Sequence, residues 1–194
     1  MPEQLKASEA WRQQFGARIT AVNGLLERTT SDLTLEQVNH KERDGVLSIA
    51  FSLAHVIGGQ DRNVARLVDK GPLLWESGGW AKRVGYEGEM PQRGTPMSVA
   101  EAIQFTNVDA WRSYQSAVFA RTGSALANAP LARFDEIAIA ERPKETGGAF
   151  VYLLVPSGPV RVWQALEAYI FQHAARHLGE IEHGRALVGL GGVS

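Results

Sequence analysis

Two histidines near the C-terminus, His173 and His177, have the spacing of metal ligands on one helix. Residues four apart on a helix lie one above the other, with Cβ atoms about 5–6 Å apart. Both fall in the apolar stripe of a long predicted helix, where unpartnered polar rings cost roughly a few kcal/mol. Neutral imidazoles bind divalent transition metals such as Zn or Ni, so the pair predicts a metal site. Two core histidines hydrogen-bonded to their neighbours would give the same pattern.

A third histidine and a carboxylate are candidates for the same site. His55 lies on a different predicted helix, away from its aliphatic side, so it is either a third ligand or a partly exposed surface residue. Glu180 follows His177 by one turn on the same face. It could be a fourth ligand, an acceptor for an imidazole N–H, or a general base, which makes it our candidate catalytic residue. A salt bridge with Arg176 or Arg185 is the plain alternative.

Composition and missing motifs narrow the range of functions. The net charge is -1 and no cluster of five or more Lys and Arg residues is present, which argues against nucleic-acid binding. The chain has no cysteine, so any thiol must come from another molecule. Neither a signal peptide nor an 18-residue apolar run is apparent, so we expect a cytoplasmic protein without a membrane partner. Ala174 occupies the second position of the His-x3-His string, which argues against a zincin protease.

The hydrophobic pattern predicts four long helices, and we expect a single domain over residues 1–194. They should cover about 8–26, 46–68, 98–123 and 160–188. A capping box, Thr34 to Gln37, predicts a short helical turn after the first. A second capping box, Ser98 to Glu101, predicts the start of the third. Alternation over 134–140 and a β-branched run over 149–155 predict a small hairpin before the last helix, with a turn over 142–148 between them.

The segment after Gly71 mixes glycine, proline and aromatic residues over roughly 25 positions without a clear period. Its aromatics argue against disorder, so it either covers the substrate or packs on the end of the bundle. On the first of these alternatives, we expect four side chains to contact a small-molecule substrate: Trp75, Trp80 and Tyr86 from this segment and Arg62 from the second long helix.

These strings resemble the DinB-like superfamily of metal-binding four-helix bundles. The resemblance rests on His55 within residues 53–61 and on the string from His173 through His177 and Glu180 to Ile181, in the right order on the right helices. One departure is Glu180, where the family commonly has Gln. The resemblance implies an all-α bundle with long crossover connections, a divalent ion held by His55, His173 and His177, and a homodimer.

The resemblance also suggests a chemistry. The family includes S-transferases that use low-molecular-weight thiols, and a thiol-dependent isomerase branch that typically has Glu where this chain has His173. We therefore expect a metal-dependent enzyme that activates an exogenous thiol, or a water molecule in hydrolase-type chemistry. Two alternatives are a non-catalytic, stress-linked dimerisation module with a structural metal, and a bundle whose core histidines bind no metal.

Overall fold

The computed structural model describes residues 3–142 and 149–193, with side chains from position 9 onward. Four long helical stretches form a bundle, and short helices fill the connections between them. The elements are α1 Glu3–Ser31, α2 Leu35–Asn39, α3 Ile49–Val64, α4 Leu74–Ser77, α5 Trp80–Val84, α6 Met97–Glu101, α7 Val108–Asn128, α8 Leu131–Asp135, β1 Ile137–Ile139, α9 Val151–Leu154, β2 Val160–Arg161, α10 Val162–Leu166 and α11 His173–Leu187. The expected all-α four-helix bundle is confirmed.

Contacts along the helices define their directions. Helix α1 runs with the last helix, because Arg18 meets Glu167 near one end and Thr29 meets Arg185 near the other. Helix α3 runs against α11, because a Cβ on its Gly59 would touch His173 while one on Gly184 would touch Ile49.

Helix α7 runs against α1. The Arg12 side chain reaches the carbonyl of Ala127, and Gln115 donates to Thr30. It follows that α3 and α7, which pack against each other, run in the same direction. The connection over 70–107 therefore returns along the bundle as a long crossover, and it carries α4, α5 and α6.

Side-chain caps explain where several helices begin. Thr34 and Gln37 form the predicted capping box at α2, with both reciprocal hydrogen bonds present. Ser48 accepts from the amide of Phe51 at 3.2 Å and starts α3, three residues later than expected. The predicted third helix is divided in two, because Asn107 caps a new helix by accepting from Ala110 at 2.9 Å.

The predicted capping box at Ser98 is wrong. The short helix α6 begins after Pro96 and ends at Glu101. The Glu101 carboxylate accepts instead from the amide of Gly45 at 2.6 Å and from Lys41 at 2.9 Å, both from a distant part of the chain. Because Glu101 makes these long-range contacts, its side chain does not form the reciprocal hydrogen bond of the predicted capping box.

The small sheet before the last helix is present, but with a different second strand. β1 pairs antiparallel with β2, which immediately precedes α10. The predicted strand over 149–155 is wrong, because Val151–Leu154 forms a helical turn closed by Val155 N–H donating to Val151 O at 2.9 Å. The predicted turn lies largely at 143–148, outside the described residues.

Two π-helical segments interrupt the long helices. Ala65–Asp69 extends α3, and Glu167–Gln172 joins α10 to α11 directly before His173. The second segment is fastened to α1, because Glu167 accepts from Trp11 Nε1 at 2.9 Å and pairs with Arg18. No helix among the described residues is both long and apolar enough to span a membrane.

Candidate metal centre

Helices α3 and α11 bring together His55, His173 and His177. One ring nitrogen of each lies within 4.8 Å of those of the other two. The ring centroids are 4.5 to 4.8 Å apart, and each pair of rings is inclined by 71° to 78°. Ring nitrogens of three imidazoles, from helices far apart in the chain, therefore converge on one small volume.

The closest of these atoms are Nε2 of His55 and Nε2 of His173, at 3.0 Å. Two nitrogens bound at about 2.0–2.1 Å to one ion lie about 2.9 Å apart at a right angle and about 3.3 Å apart at the tetrahedral angle. The observed separation falls within that range. It also suits a metal-free arrangement in which the N–H of His173 donates to His55.

Hydrogen bonds on the far side of two rings fix their tautomers. His55 Nδ1 lies 3.2 Å from the carbonyl oxygen of Pro91, which can only accept, so Nδ1 carries the proton. His177 Nδ1 lies 2.6 Å from a carboxylate oxygen of Glu180 and donates to it in the same way. In the neutral rings this leaves the Nε2 lone pairs of both residues free to face the centre.

Electrostatics favour uncharged imidazoles at the centre. Burial, then the neighbouring His177 and His55, lowers the pKa of His173 to about 3. Burial is also the main cause that lowers the pKa of His55, followed by His177. Neutral rings are the form that ligates metal, so no proton need leave these two residues near neutral pH.

Two features of α3 shape the space around the rings. Gly59 has no side chain where α3 faces His173, and a Cβ there would lie 3.4 Å from His173 Cε1. Phe51, one turn before His55, stacks on its ring at a centroid distance of 5.7 Å and an interplanar angle of 7°. The His173 ring thus lies within van der Waals reach of α3 at Gly59, and the phenylalanine restricts rotation of His55.

Of the roles predicted for Glu180, its contacts fit that of a hydrogen-bond acceptor for an imidazole N–H. Its contact is with His177 Nδ1, and that hydrogen bond is the largest cause that lowers the pKa of its carboxylate. Arg185 pairs with Asp32 instead, at 2.5 Å. The guanidinium of Arg176 lies over the ring of Phe150. A direct catalytic role for Glu180 stays a prediction.

The four residues expected to contact substrate occupy different places. Arg62 and Trp75 line an open cleft of about 510 Å³ beside Met90. Tyr86 lines the adjoining cleft and donates to the carbonyl of Glu89 at 2.7 Å. Trp80 is buried in the core, with the Arg83 guanidinium over its ring. Their contact with a substrate stays a prediction.

Sequence reasoning missed Asp61 and Pro91. Asp61 is buried next to Arg62, and its carboxylate accepts from the amides of Leu74 and Trp75, the hydroxyl of Tyr114 and the guanidinium of Arg121. It fastens α4, and with it Trp75, to the bundle. An acidic residue in the apolar helix α3 was the available signal. Pro91 acts through its carbonyl, which no sequence pattern reveals.

Comparisons with known proteins agree with this architecture. No curated protein sequence matches the chain. Among solved structures, it is similar to a conserved protein from Enterococcus faecalis, with a TM-score of 0.72 at 17% identity over 91% of this chain and 95% of that one. At this identity the likeness shows the fold alone. The sequence profile of the DinB superfamily matches residues 18–181, so the chain belongs to the DinB superfamily.

Proposed function

We propose that the protein is a metal-dependent enzyme whose His55, His173 and His177 hold one divalent transition metal ion. The observation that carries the proposal is the convergence of three ring nitrogens, with two rings held by Nδ1–H donors. Three neutral nitrogen ligands suit Zn or Ni and leave coordination positions open. A bound ion would supply Lewis acidity, which lowers the pKa of a thiol or water molecule that coordinates to it.

The chain's own residues prepare and position this chemistry. Pro91 and Glu180 hold the rings of His55 and His177 in the tautomer that directs Nε2 inward. Burial keeps His55 and His173 uncharged. We favour an exogenous low-molecular-weight thiol as the activated group, with transfer to a small electrophile, because the DinB superfamily to which the chain belongs includes thiol-dependent S-transferases. The chain has no cysteine of its own, so such a thiol would come from another molecule. Hydrolase-type activation of water is the variant.

A non-catalytic module is the second candidate. The 3.0 Å contact between His55 and His173 also fits a direct hydrogen bond, in which case the three rings would be core polar residues. A structural ion in the same place would stabilise the bundle without turnover. These candidates differ in metal content and in whether a small ligand can reach the ion.

Metal analysis and thiol turnover test the proposal together. Protein purified without chelators should contain about one transition metal ion per chain, and its consumption of a thiol with a model electrophile should fall after chelation and return with metal. His177→Ala should lose both the ion and the activity, whereas His183→Ala, which removes an exposed histidine from the same helix, should lose neither. Metal binding with equal thiol consumption in apo and loaded protein would instead support the structural role.

A further inference from the structure

Arg62 is a partly buried guanidinium with little of its hydrogen-bonding capacity used. Its five N–H donors make one hydrogen bond with the described residues, at 3.4 Å to the carbonyl of Pro91. Its neighbour Asp61 already accepts from Arg121, Tyr114 and two amides. Burial is the largest cause that lowers the pKa of Arg62. A cation removed from water without a carboxylate partner is costly, so a partner from outside the chain would stabilise it.

This guanidinium lies at the cleft and close to His55. It lines the cleft together with Gly58, Trp75 and Met90. It also donates to the same Pro91 oxygen that accepts from His55 Nδ1, so one atom separates it from the imidazole of a candidate ligand. A ligand bound to Arg62 in the cleft would therefore lie beside the Pro91 carbonyl that orients His55.

The other charged residues that line the cleft are carboxylates, and none of them has a hydrogen bond with Arg62 among the described residues. Asp61 attracts Arg62 electrostatically, but its oxygens already accept from Arg121, Tyr114 and two amides. Glu76, Glu87 and Glu89 also line the cleft, and all three are exposed. Water and salt screen charges at such positions, whereas a partly buried guanidinium is screened less. A planar guanidinium with free donors matches the two oxygens of a carboxylate.

From these contacts we propose that Arg62 binds an anionic group, a carboxylate in the first instance, of the substrate whose reactive group reaches the three histidines. This inference rests on the proposed function and specifies its substrate class as a small anionic molecule. Arg62 is a binding residue in this arrangement. The Pro91 carbonyl would set the distance between the anion and the reacting end of the substrate.

A pair of thiols that differ in one group tests this inference by binding. Co²⁺-loaded protein is titrated with 3-mercaptopropionate and with 3-mercapto-1-propanol, and the cobalt–thiolate absorption band reports each dissociation constant. Arg62→Gln should weaken the carboxylate thiol about tenfold or more, as loss of a charge-assisted hydrogen bond implies, and leave the alcohol within about twofold. Arg62→Lys keeps the charge but lacks the planar pair of N–H donors. Its dissociation constant for the carboxylate thiol should lie between those of the unmodified protein and Arg62→Gln.

Arg66→Gln is the matched control, because it removes an exposed arginine one turn along the same helical stretch. It should change neither dissociation constant by more than about twofold, since exposed charges are screened. If Arg62→Gln weakens both thiols equally, or neither, the inference is wrong while the proposed function stands. If Co²⁺ does not bind, the proposed function fails and takes the inference with it. If Co²⁺ binds but neither thiol gives the band, the thiol form of the proposed function is wrong, and the inference is wrong with it.

Discussion

At the scale of a single residue, the Glu180 carboxylate determines the orientation of the His177 ring. Its contact with His177 Nδ1 orients the ring and raises the basicity of Nε2. The carboxylate itself is half exposed, with 52% of the side chain accessible. Glu180 therefore affects the site mainly by fixing the orientation and the tautomer of His177, and less by its charge.

We expect Glu180→Gln to weaken metal binding about tenfold, because partners of ligating imidazoles typically contribute factors of 10 to 100 and the amide can still accept a hydrogen bond. Glu180→Ala should cost more, since no acceptor remains. Competition with a chromogenic chelator measures both affinities. Glu182→Gln, a change of the same charge on the same helix, is the control, and an equal loss in that variant would contradict the role of Glu180.

At the scale of elements, helix α3 places two adjacent glycines in different surroundings. A Cβ on Gly58 would lie 2.8 Å from Cγ and 2.9 Å from Cβ of Met90, contacts too short to keep. A Cβ on Gly59 would meet His173 at 3.4 Å, an ordinary contact. Alanine in a helix is favoured over glycine by about 0.8–1 kcal/mol. The same substitution should therefore act in opposite directions at the two positions.

Gly58→Ala should destabilise the protein by about 1–2 kcal/mol, because overpacking exceeds the gain in helix propensity. It should also weaken metal binding several-fold, since relief of the contact with the Met90 Cβ requires a backbone shift next to Pro91, whose carbonyl accepts from His55. Gly59→Ala should be neutral or more stable, with metal affinity nearly unchanged. Urea unfolding and metal titration of both variants check this. A Gly58→Ala protein as stable as Gly59→Ala would contradict the packing argument.

Sequence patterns predicted the helices and their caps correctly in several places where the interactions are local. The spacing of His173 and His177 and the capping box at Thr34 depend on residues within one turn, and both are present as helix geometry requires. The Asn107 cap that divides the third helix is also local, three residues before Ala110, and it was missed. The contacts of Glu101 depend on Gly45 and Lys41, which only the tertiary fold brings near.

The π-helical segment before His173 is a second feature that the sequence pattern did not predict. The apolar stripe predicted over 160–188 assumes an uninterrupted α-helix, with a rotation of about 100° per residue. The segment Glu167–Gln172 has a wider turn, so the phase on either side of it differs. Contacts of Glu167 with Trp11 and Arg18 accompany this turn, and they come from α1, far away in the sequence.

At the scale of the whole molecule, Arg121 joins the crossover to the bundle. It pairs with Asp69 through two contacts of 2.8 Å, reaches Asp61 at 3.0 Å and donates to the carbonyl of Pro72 at 2.7 Å. The hydrogen bonds from Arg121 are the largest cause that lowers the pKa of Asp69 below its ordinary 3.8. One arginine of α7 thus holds the point where α3 ends and the crossover begins.

This pair predicts a dependence of stability on pH. A carboxylate whose pKa is lower in the folded protein stabilises it above the unfolded pKa, and that contribution disappears as the pH falls through the folded pKa. Asp69→Asn should therefore cost about 0.5–1 kcal/mol at pH 7, because the pair is partly exposed, and progressively less below about pH 4. Urea unfolding from pH 7 to pH 2.5 measures the difference from the unmodified protein.

Asp44→Asn provides the comparison, since the carboxylate of Asp44 is fully exposed beside Lys41. The hydrogen bond from Lys41 lowers the pKa of Asp44 as well, but water screens a fully exposed pair. Asp44→Asn should therefore differ from the unmodified protein by less than Asp69→Asn at pH 7. A constant difference between Asp69→Asn and the unmodified protein at every pH would show that the effect comes from packing and not from the ionised carboxylate.

The long crossover also affects the difference in ion affinity between the folded and the unfolded chain. His55 and His173 are 118 positions apart, so a bond through one ion closes a loop of that length. In a chain-entropy description, closing a 100-residue loop costs an unfolded chain about 4.7 kcal/mol. Of the three candidate ligands, only the local pair His173 and His177 is available to the unfolded chain without that cost. The folded chain would therefore bind the ion more tightly than the unfolded chain. The bound ion would act as a reversible cross-link that opposes separation of α3 from α11.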